Sequence, residues 1–247
     1  MSIIAFIPSR YDSSRFPGKP LALIAGKPMI QHVYQCASAC PDISRVYITT
    51  DDERIFNSVE GFGGKAVMTR REHPSGTDRI AEAVQKLDLS ADDLIVNIQG
   101  DQPVFEPTVI SHMVAPLIED SSIPMSTLKY RIKEREKIEN SNIVKVVTDN
   151  RGFALYFSRC PIPLYRDIKT KHEYYKHLGF YAYRRDFILE FNRLSGGRLE
   201  AAEKLEQLRA LEHGFRIKVI EAASDSIEVD APEDIEKVEA LIESSFK

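Results

Sequence analysis

The chain has 247 residues, 43% hydrophobic and 28% charged, which is enough for one sizeable core or a core with a large insertion. A formal net charge of −4 excludes a global attraction to nucleic acid, so any anion site has to be built locally. No stretch approaches the roughly 18 apolar residues of a membrane span, and the opening MSIIAFIP carries no basic leader, so the chain reads as soluble and unprocessed.

In chain order, Ile3 to Pro8, Arg45 to Thr50, Lys65 to Thr69 and Asp93 to Gln99 are short β-branched runs that predict strands. Between them, Pro28 to Ala39, Asp52 to Glu60 and Thr77 to Leu87 carry helical patterns, the first with a proline suited to an opening turn. Alternation of near-continuous apolar strands with helices predicts a doubly wound α/β core around a mostly parallel sheet. From Met125 the rhythm changes to MSTLKY, IVKVVTD, FALYFS and HLGFYAYRR, which predict antiparallel or mixed strands. Leu199 to Glu212 predicts one helix, with Leu205, Leu208 and Leu211 on its buried face. RIKVIEA and DSIEVD read as final strands, and Ala231 to Phe246 as a closing helix with Pro232 near its start.

Cys36, Cys40 and Cys160 are odd in number, and the first two sit in an amphipathic segment where they pack rather than bridge. Without a nearby histidine or further cysteine they make a poor zinc set, and they read as reduced thiols of a cytoplasmic protein.

Charge is concentrated in two stretches. Pro8 to Lys27 holds Arg10, Arg15, Lys19 and Lys27 against Asp12, and Arg159 to Arg185 holds seven basic residues against Asp167 and Glu173. Two such stretches suit either one anion pocket or a pair of solvated loops. Position decides for the first: SRYDSSRFPGKP follows the first strand, where open α/β sheets collect phosphates. Serine hydroxyls and the amides around Gly18 can cradle phosphate oxygens while Arg10, Arg15 and Lys19 supply charge. Neither a Walker loop nor GxGxxG is present.

Arg10, Ser13, Arg15, Pro17, Gly18, Lys19 and Pro20 together resemble the signature of the sugar-acid cytidylyltransferases. HPSGTDRIAEA, NIQGDQP, ALYFSR, KHLGFYAYR, AEKLEQLRALEHG and EVDAPEDI resemble the 3-deoxy-manno-octulosonate (Kdo) branch in the right order, so the similarity spans essentially the whole chain. It implies one cytidylyltransferase domain, with a nucleotide-binding half over about 1–120 and a sugar-binding and dimerisation region over about 121–215.

The resemblance implies that CTP is held by Arg10, Ser13, Arg15, Lys19, Ser75 and Arg79, and Mg²⁺ by Asp101 and Asp230. By the same resemblance Gln102, Arg159, His177, Glu206 and Gln207 are expected to face an octulosonic sugar acid, with Lys19, Asp101 and Asp230 as the catalytic set. Each residue has a plainer reading: Asp101 and Asp230 as helix caps, Lys19 as a solvated loop lysine, Arg79 in a helical ion pair, His177 as an ordinary strand residue. Kdo enzymes commonly carry glutamate after QGD where this chain has Gln102, which directs attention to the 8-amino-3,8-dideoxy sugar as the alternative substrate. Other sugar acids such as a sialic acid, or a non-catalytic nucleotide-binding module, are the rival readings. A homodimer through FALYFSRCPIPLYRD is the family expectation, with no nucleic acid and no stable membrane association.

Overall fold

The computed structural model describes residues 1–12, 16–167 and 173–245, with side chains described up to residue 242. In chain order it contains β1 (Ile3–Ser9), the short strands β2 (Leu23–Ile24) and β3 (Lys27–Pro28), α1 (Met29–Ser38), β4 (Ile43–Thr50), α2 (Glu53–Gly61) and β5 (Ala66–Met68). There follow α3 (Gly76–Lys86), β6 (Leu94–Asn97), α4 (Thr108–Glu119), β7 (Met125–Arg131), α5 (Arg135–Glu139), β8 (Lys145–Thr148) and β9 (Ala154–Ser158). The chain closes with β10 (Tyr175–Arg184), α6 (Arg185–Phe191), α7 (Arg198–Glu203), α8 (Gln207–Glu212), β11 (Ile217–Glu221) and α9 (Asp234–Ser245). Two compact units result: residues 1–111, 184–192 and 226–247 form the first, and 112–183 with 193–225 the second.

In the first unit β1 lies between β4 and β6, parallel to both, and β5 adds in parallel beyond β4. Ile4, Ala5, Phe6 and Ile7 are consecutive and fully buried, as are Leu94, Ile95 and Val96. Successive strand side chains point to opposite faces, so burial of every residue in a run means that both faces of the sheet are covered. Each large apolar side chain enclosed this way contributes about 1.5–3 kcal/mol relative to exposure. Ile24, Met29, Val229 and Val238 form a further buried cluster, with Phe16, Val104, Ile227 and Ile235 packed against it. This cluster anchors the segment before α9 against the start of α1.

Parallel strands place their carboxyl ends on one edge, and there β1 leads into the segment that begins at Arg10 while β6 runs into Gln99–Asp101. Gly100 is required by closeness: a Cβ there would stand 2.9 Å from the Pro8 carbonyl oxygen. Gly18 adopts φ +73°, and its amide donates to the Tyr11 carbonyl at 2.9 Å, closing the loop.

In the second unit β7 pairs parallel with β11 and antiparallel with β10, while β8 pairs antiparallel with both β9 and β10. This is the mixed, mostly antiparallel arrangement expected after Met125. Two expectations change. The helix over Leu199–Glu212 is broken at Lys204, which sits in the left-handed region at φ 54° and ψ 45°, giving α7 and α8. Arg209 bridges the break by donating to both carboxylate oxygens of Glu200, from Nε at 2.8 Å and Nη2 at 2.5 Å. Glu212 folds back to accept from the amides of Leu199 and Glu200, at 2.9 and 3.2 Å, capping the start of α7. In the first unit, DSIEVD is not a strand: only an isolated bridge forms, between Ile227 and Val104.

Candidate active site

Lys19 follows the positive-φ turn at Gly18, and its ammonium reaches across to the carboxyl end of β6. Its Nζ donates to Asp101 Oδ2 at 2.8 Å and to the Val229 carbonyl at 2.9 Å. The Val229 amide in turn donates to the Asp101 carbonyl at 2.9 Å, which fixes Asp230, the next residue, beside Asp101. Three segments far apart in sequence are thus stitched together at one strand edge. The Lys19 side chain is 15% exposed and that of Asp101 32%, so the pair is shielded yet reachable.

Neither aspartate is a helix cap. Asp101 precedes α4 and Asp230 precedes α9 by several residues, and Asp234, the first residue of α9, reaches back with Oδ2 to accept from the amides of Asp230 and Ala231 at 3.0 and 3.1 Å. Asp230 itself follows the bridged segment rather than a strand. The two carboxylates suit a hard cation: Mg²⁺ is commonly held by one or two protein carboxylates with water and phosphate oxygens completing the shell. Among the described residues there is no group of three or more metal-ligating side chains, so a cation here would depend on substrate oxygens.

Around these residues lies a cleft of about 170 Å³ lined by Pro8, Ser9, Arg10, Lys19, Gln99 and Asp101, among others. A second, polar pocket of about 330 Å³ adjoins it through Arg10 and Asp12, with Asp51, Arg54 and Arg71 on its walls. Arg10 is exposed and belongs to both. Ser9, Gln99 and Arg71 were not singled out from sequence; Gln99 stands inside the quoted NIQGDQP, and Ser9 inside the opening loop. Ser13 and Arg15 lie outside the described residues.

Ser75 and Arg79 have local duties. The Ser75 hydroxyl accepts from the Asp78 amide at 3.1 Å and donates to the Asp78 carboxylate at 2.7 Å, capping α3. Arg79 has no exposed surface. Its Nη2 lies 3.0 Å from Asp51 Oδ1, and its Nη1 donates to Thr69 Oγ1 at 2.5 Å. The guanidinium therefore braces the ends of β4 and β5 from inside, which differs from the expected direct contact with nucleotide. Glu82, one turn on, holds the loop before α3: Arg70, His73 and Lys86 all reach it. Burial pushes its carboxyl up, but the hydrogen bonds from Lys86, His73 and Arg70 outweigh that and hold it at about 2.

Gln102 is likewise fully buried rather than open to a sugar. Its Nε2 donates to Glu228 Oε1 at 2.9 Å, so a buried amide presents an exposed carboxylate two residues before Asp230. An amide at 102 can donate to Glu228; a carboxylate there would face it with like charge.

In the second unit, Arg159 follows β9 and is held by α7. Its backbone amide donates to Glu203 Oε2 at 2.9 Å, its Nε to the Glu203 carbonyl at 2.7 Å, and its Nη1 to the Ser141 carbonyl at 3.0 Å. His177 lies on β10 beside a register shift between Leu178 and Tyr181. The Thr127 hydroxyl fills that irregularity, donating to the Phe180 carbonyl at 2.6 Å, and His177 Nε2 lies 2.9 Å from the same oxygen. With the hydroxyl proton committed to the carbonyl, Nε2–H is the donor to Thr127. Phe157 meets the imidazole edge-on at 5.1 Å and Tyr181 lies at 5.3 Å. Burial lowers its pKa to about 3, so the ring is neutral at ordinary pH.

Burial, and then the negative charge of Glu206, raise the Tyr181 phenol well above its ordinary value. Glu206 and Gln207 stand at the start of α8, directly after the break at Lys204. Gln207 is 5% exposed, and its Nε2 makes no hydrogen bond among the described residues. A buried donor without an acceptor is costly, and a ligand hydroxyl would satisfy it. The structure thus gathers Arg159, His177, Glu206 and Gln207 around β9, β10 and the α7–α8 break.

Residues 4–220 match the family model described as cytidylyltransferase. A 3-deoxy-manno-octulosonate cytidylyltransferase of Syntrophus aciditrophicus is 55% identical over 240 residues, covering 97% of each chain. An 8-amino-3,8-dideoxy-manno-octulosonate cytidylyltransferase of Shewanella sp. (strain ANA-3) is also 55% identical, covering 97% of this chain and 98% of its own. The solved structure of CMP:2-keto-3-deoxy-manno-octonic acid synthetase complexed with CTP superposes with a TM-score of 0.93 at 43% identity, over 99% of this chain and 100% of that one. A 4-diphosphocytidyl-2C-methyl-D-erythritol synthase from Anaerococcus prevotii shares the fold, with a TM-score of 0.63 at 15% identity, over 98% of this chain and 96% of that one. The edge joining Lys19, Asp101 and Asp230 is therefore set in a chain that belongs to the cytidylyltransferase family.

Proposed function

We propose that this protein transfers a cytidylyl group from CTP to an octulosonic sugar acid, either 3-deoxy-manno-octulosonate or its 8-amino-3,8-dideoxy form, in making an activated sugar for lipopolysaccharide. The observation that carries the reading is Lys19, shared between the Asp101 carboxylate and the Val229 carbonyl, so that its ammonium ties the end of β6 to the segment leading into Asp230. Relatives of both sugar classes at 55% identity support it.

The sugar hydroxyl oxygen forms a bond to the α-phosphorus and releases its proton to solvent, the bond from that phosphorus to the bridging oxygen breaks, and pyrophosphate leaves with the electron pair. Asp101 and Asp230 would hold Mg²⁺, which supplies charge neutralisation at the phosphates. Lys19 adds a positive charge that needs no reorganisation, because Asp101 and the Val229 carbonyl hold it in place. Arg10 lines the phosphate side of the cleft, while Ser75 and Arg79 keep α3 and the neighbouring strand ends rigid. On the sugar, Arg159 suits the carboxylate, and the Gln207 amide with Glu206 suits hydroxyls. His177, neutral and held by Thr127, acts as a hydrogen-bonding wall rather than a charge.

Glu228 favours the amino sugar as the second substrate, since its exposed carboxylate beside Asp230 complements an ammonium. We also propose a cytoplasmic homodimer, supported by the apolar surface at Leu155 and Leu164, which are 63% and 90% exposed. Pyrophosphate release measured with CTP, UTP, ATP and GTP against Kdo, its 8-amino form and a sialic acid tests the function. Turnover requiring CTP, Mg²⁺ and an octulosonic acid is expected; preference for another nucleotide or a sialic acid would reject it.

A further inference from the structure

Lys145 lies in β8 with no exposed surface, yet carries an ammonium. An unpaired charge in such a place costs several kcal/mol, and a methionine would fill the same volume without that cost. Its three N–H groups are all used: Nζ donates to the carbonyls of Asn140 at 2.9 Å, Ile143 at 2.6 Å and Arg159 at 2.6 Å. Two of these acceptors, Asn140 and Ile143, bracket Ser141 and Asn142, the Ser141 carbonyl receives Arg159 Nη1, and the third acceptor belongs to Arg159 itself.

One ammonium therefore draws the 140–143 loop and the end of β9 together, and the guanidinium is gripped between that loop and the Glu203 carbonyl. From these contacts we infer that Lys145 is a positioning residue for sugar-acid binding, acting by fixing both the main chain of Arg159 and the loop carbonyl that orients its guanidinium. This inference rests on the assignment of Arg159 to the sugar carboxylate. A planar guanidinium recognises a carboxylate only within a narrow range of orientations, so loss of the clamp acts on affinity for the sugar acid.

The test compares Lys145→Met with Arg159→Ala, measuring the KM for the sugar acid, kcat and the Kd for CTP. Lys145→Met is expected to raise the sugar KM about 10-fold or more while leaving the CTP Kd within about 2-fold, the split that loss of sugar binding alone produces. A purely structural role would instead weaken CTP binding and the unfolding midpoint together. A folded Lys145→Met protein with an unchanged sugar KM, alongside an Arg159→Ala protein with a raised one, would overturn the inference. An unchanged sugar KM in Arg159→Ala would overturn the Arg159 assignment itself. If Lys145→Met does not fold, Glu203→Ala carries the test, because it removes the carboxylate holding Ser158 Oγ and the Arg159 amide at 2.8 and 2.9 Å. A rise in sugar KM of about 3-fold or more supports the clamp, and no change contradicts it.

Discussion

The two units treat polar groups in opposite ways. At the strand edge of the first, charges balance one another: Lys19 against Asp101, with both side chains partly exposed. Around β9 and β10 in the second, the two ligand-facing side chains are fixed by neutral groups, the His177 ring by Thr127 and Phe157 and the Arg159 guanidinium by main-chain carbonyls. The first arrangement suits a ligand whose own charge is large and must be neutralised. The second suits one that must be oriented by several directional contacts. Triphosphate chemistry and sugar-acid recognition call for these two designs respectively.

If that contrast holds, Asp101→Asn gives the largest effect. A fall in kcat on the order of 10²–10³-fold is expected with the sugar KM little changed; full activity would break the assignment of Asp101 to the reacting phosphates. Lys19→Met comes next, at roughly 10²-fold in kcat, with an unfolding midpoint near that of the unaltered protein because the ion pair is partly solvated. Arg79→Met is the inverse case within the same unit. It strands Asp51 without its partner and is expected to cost about 3–5 kcal/mol of stability in urea titrations. If it instead left stability intact, Arg79 would not be the brace its burial implies.

A smaller effect separates the two sugars. Glu228→Gln is expected to lower the preference for the 8-amino sugar over Kdo about 5-fold, as removal of one exposed charge does. An unchanged ratio of kcat/KM would remove Glu228 from sugar selection. A separate effect is in pH. His177 has its pKa lowered to about 3 in the fold, whereas in the unfolded chain it binds a proton near the ordinary value of about 6.5. The unfolded state is thus the one that takes up the proton, so this contribution to stability is complete above about pH 6.5 and is lost as pH falls toward 3. His177→Gln is expected to flatten that part of the stability profile; an identical slope would show that the ring titrates normally.

Sequence and structure agree where pattern carries the information. Helices expected over Pro28–Ala39, Asp52–Glu60 and Thr77–Leu87 form as α1, α2 and α3, shifted by a residue or two at their ends. The strands between them were legible because sheets covered on both faces leave continuous apolar runs. Pattern failed where a single backbone torsion or a burial event decides. The leucine spacing of Leu199–Glu212 continues smoothly through Lys204, and nothing in a lysine announces a left-handed turn. DSIEVD alternates like a strand, yet only Ile227 finds a bridging partner. Helix α4 is hard to read from pattern because TVISHMVAPLIE is mostly apolar and contains Pro116, which blurs its periodicity.

Motif position located Lys19, Asp101 and Asp230 at one edge but could not say which motif residues face inward. Gln102, Arg79 and Lys145 are polar types normally found at the surface, and all three are fully buried. Their burial depends on partners outside the motif or pattern that each belongs to, Glu228 for Gln102, Asp51 and Thr69 for Arg79, and for Lys145 the Arg159 carbonyl together with two nearer ones. No local rule on the chain could have supplied those partners.

The central claim is that these residues join CMP to an octulosonic acid. Phosphorus NMR of a reaction containing the protein, CTP, Mg²⁺ and either octulosonic sugar tests it most directly. The account predicts growth of a phosphodiester signal from the CMP-linked sugar, matched one for one by inorganic pyrophosphate. Pyrophosphate formed at the same rate without sugar, or no diester with either sugar, would contradict it.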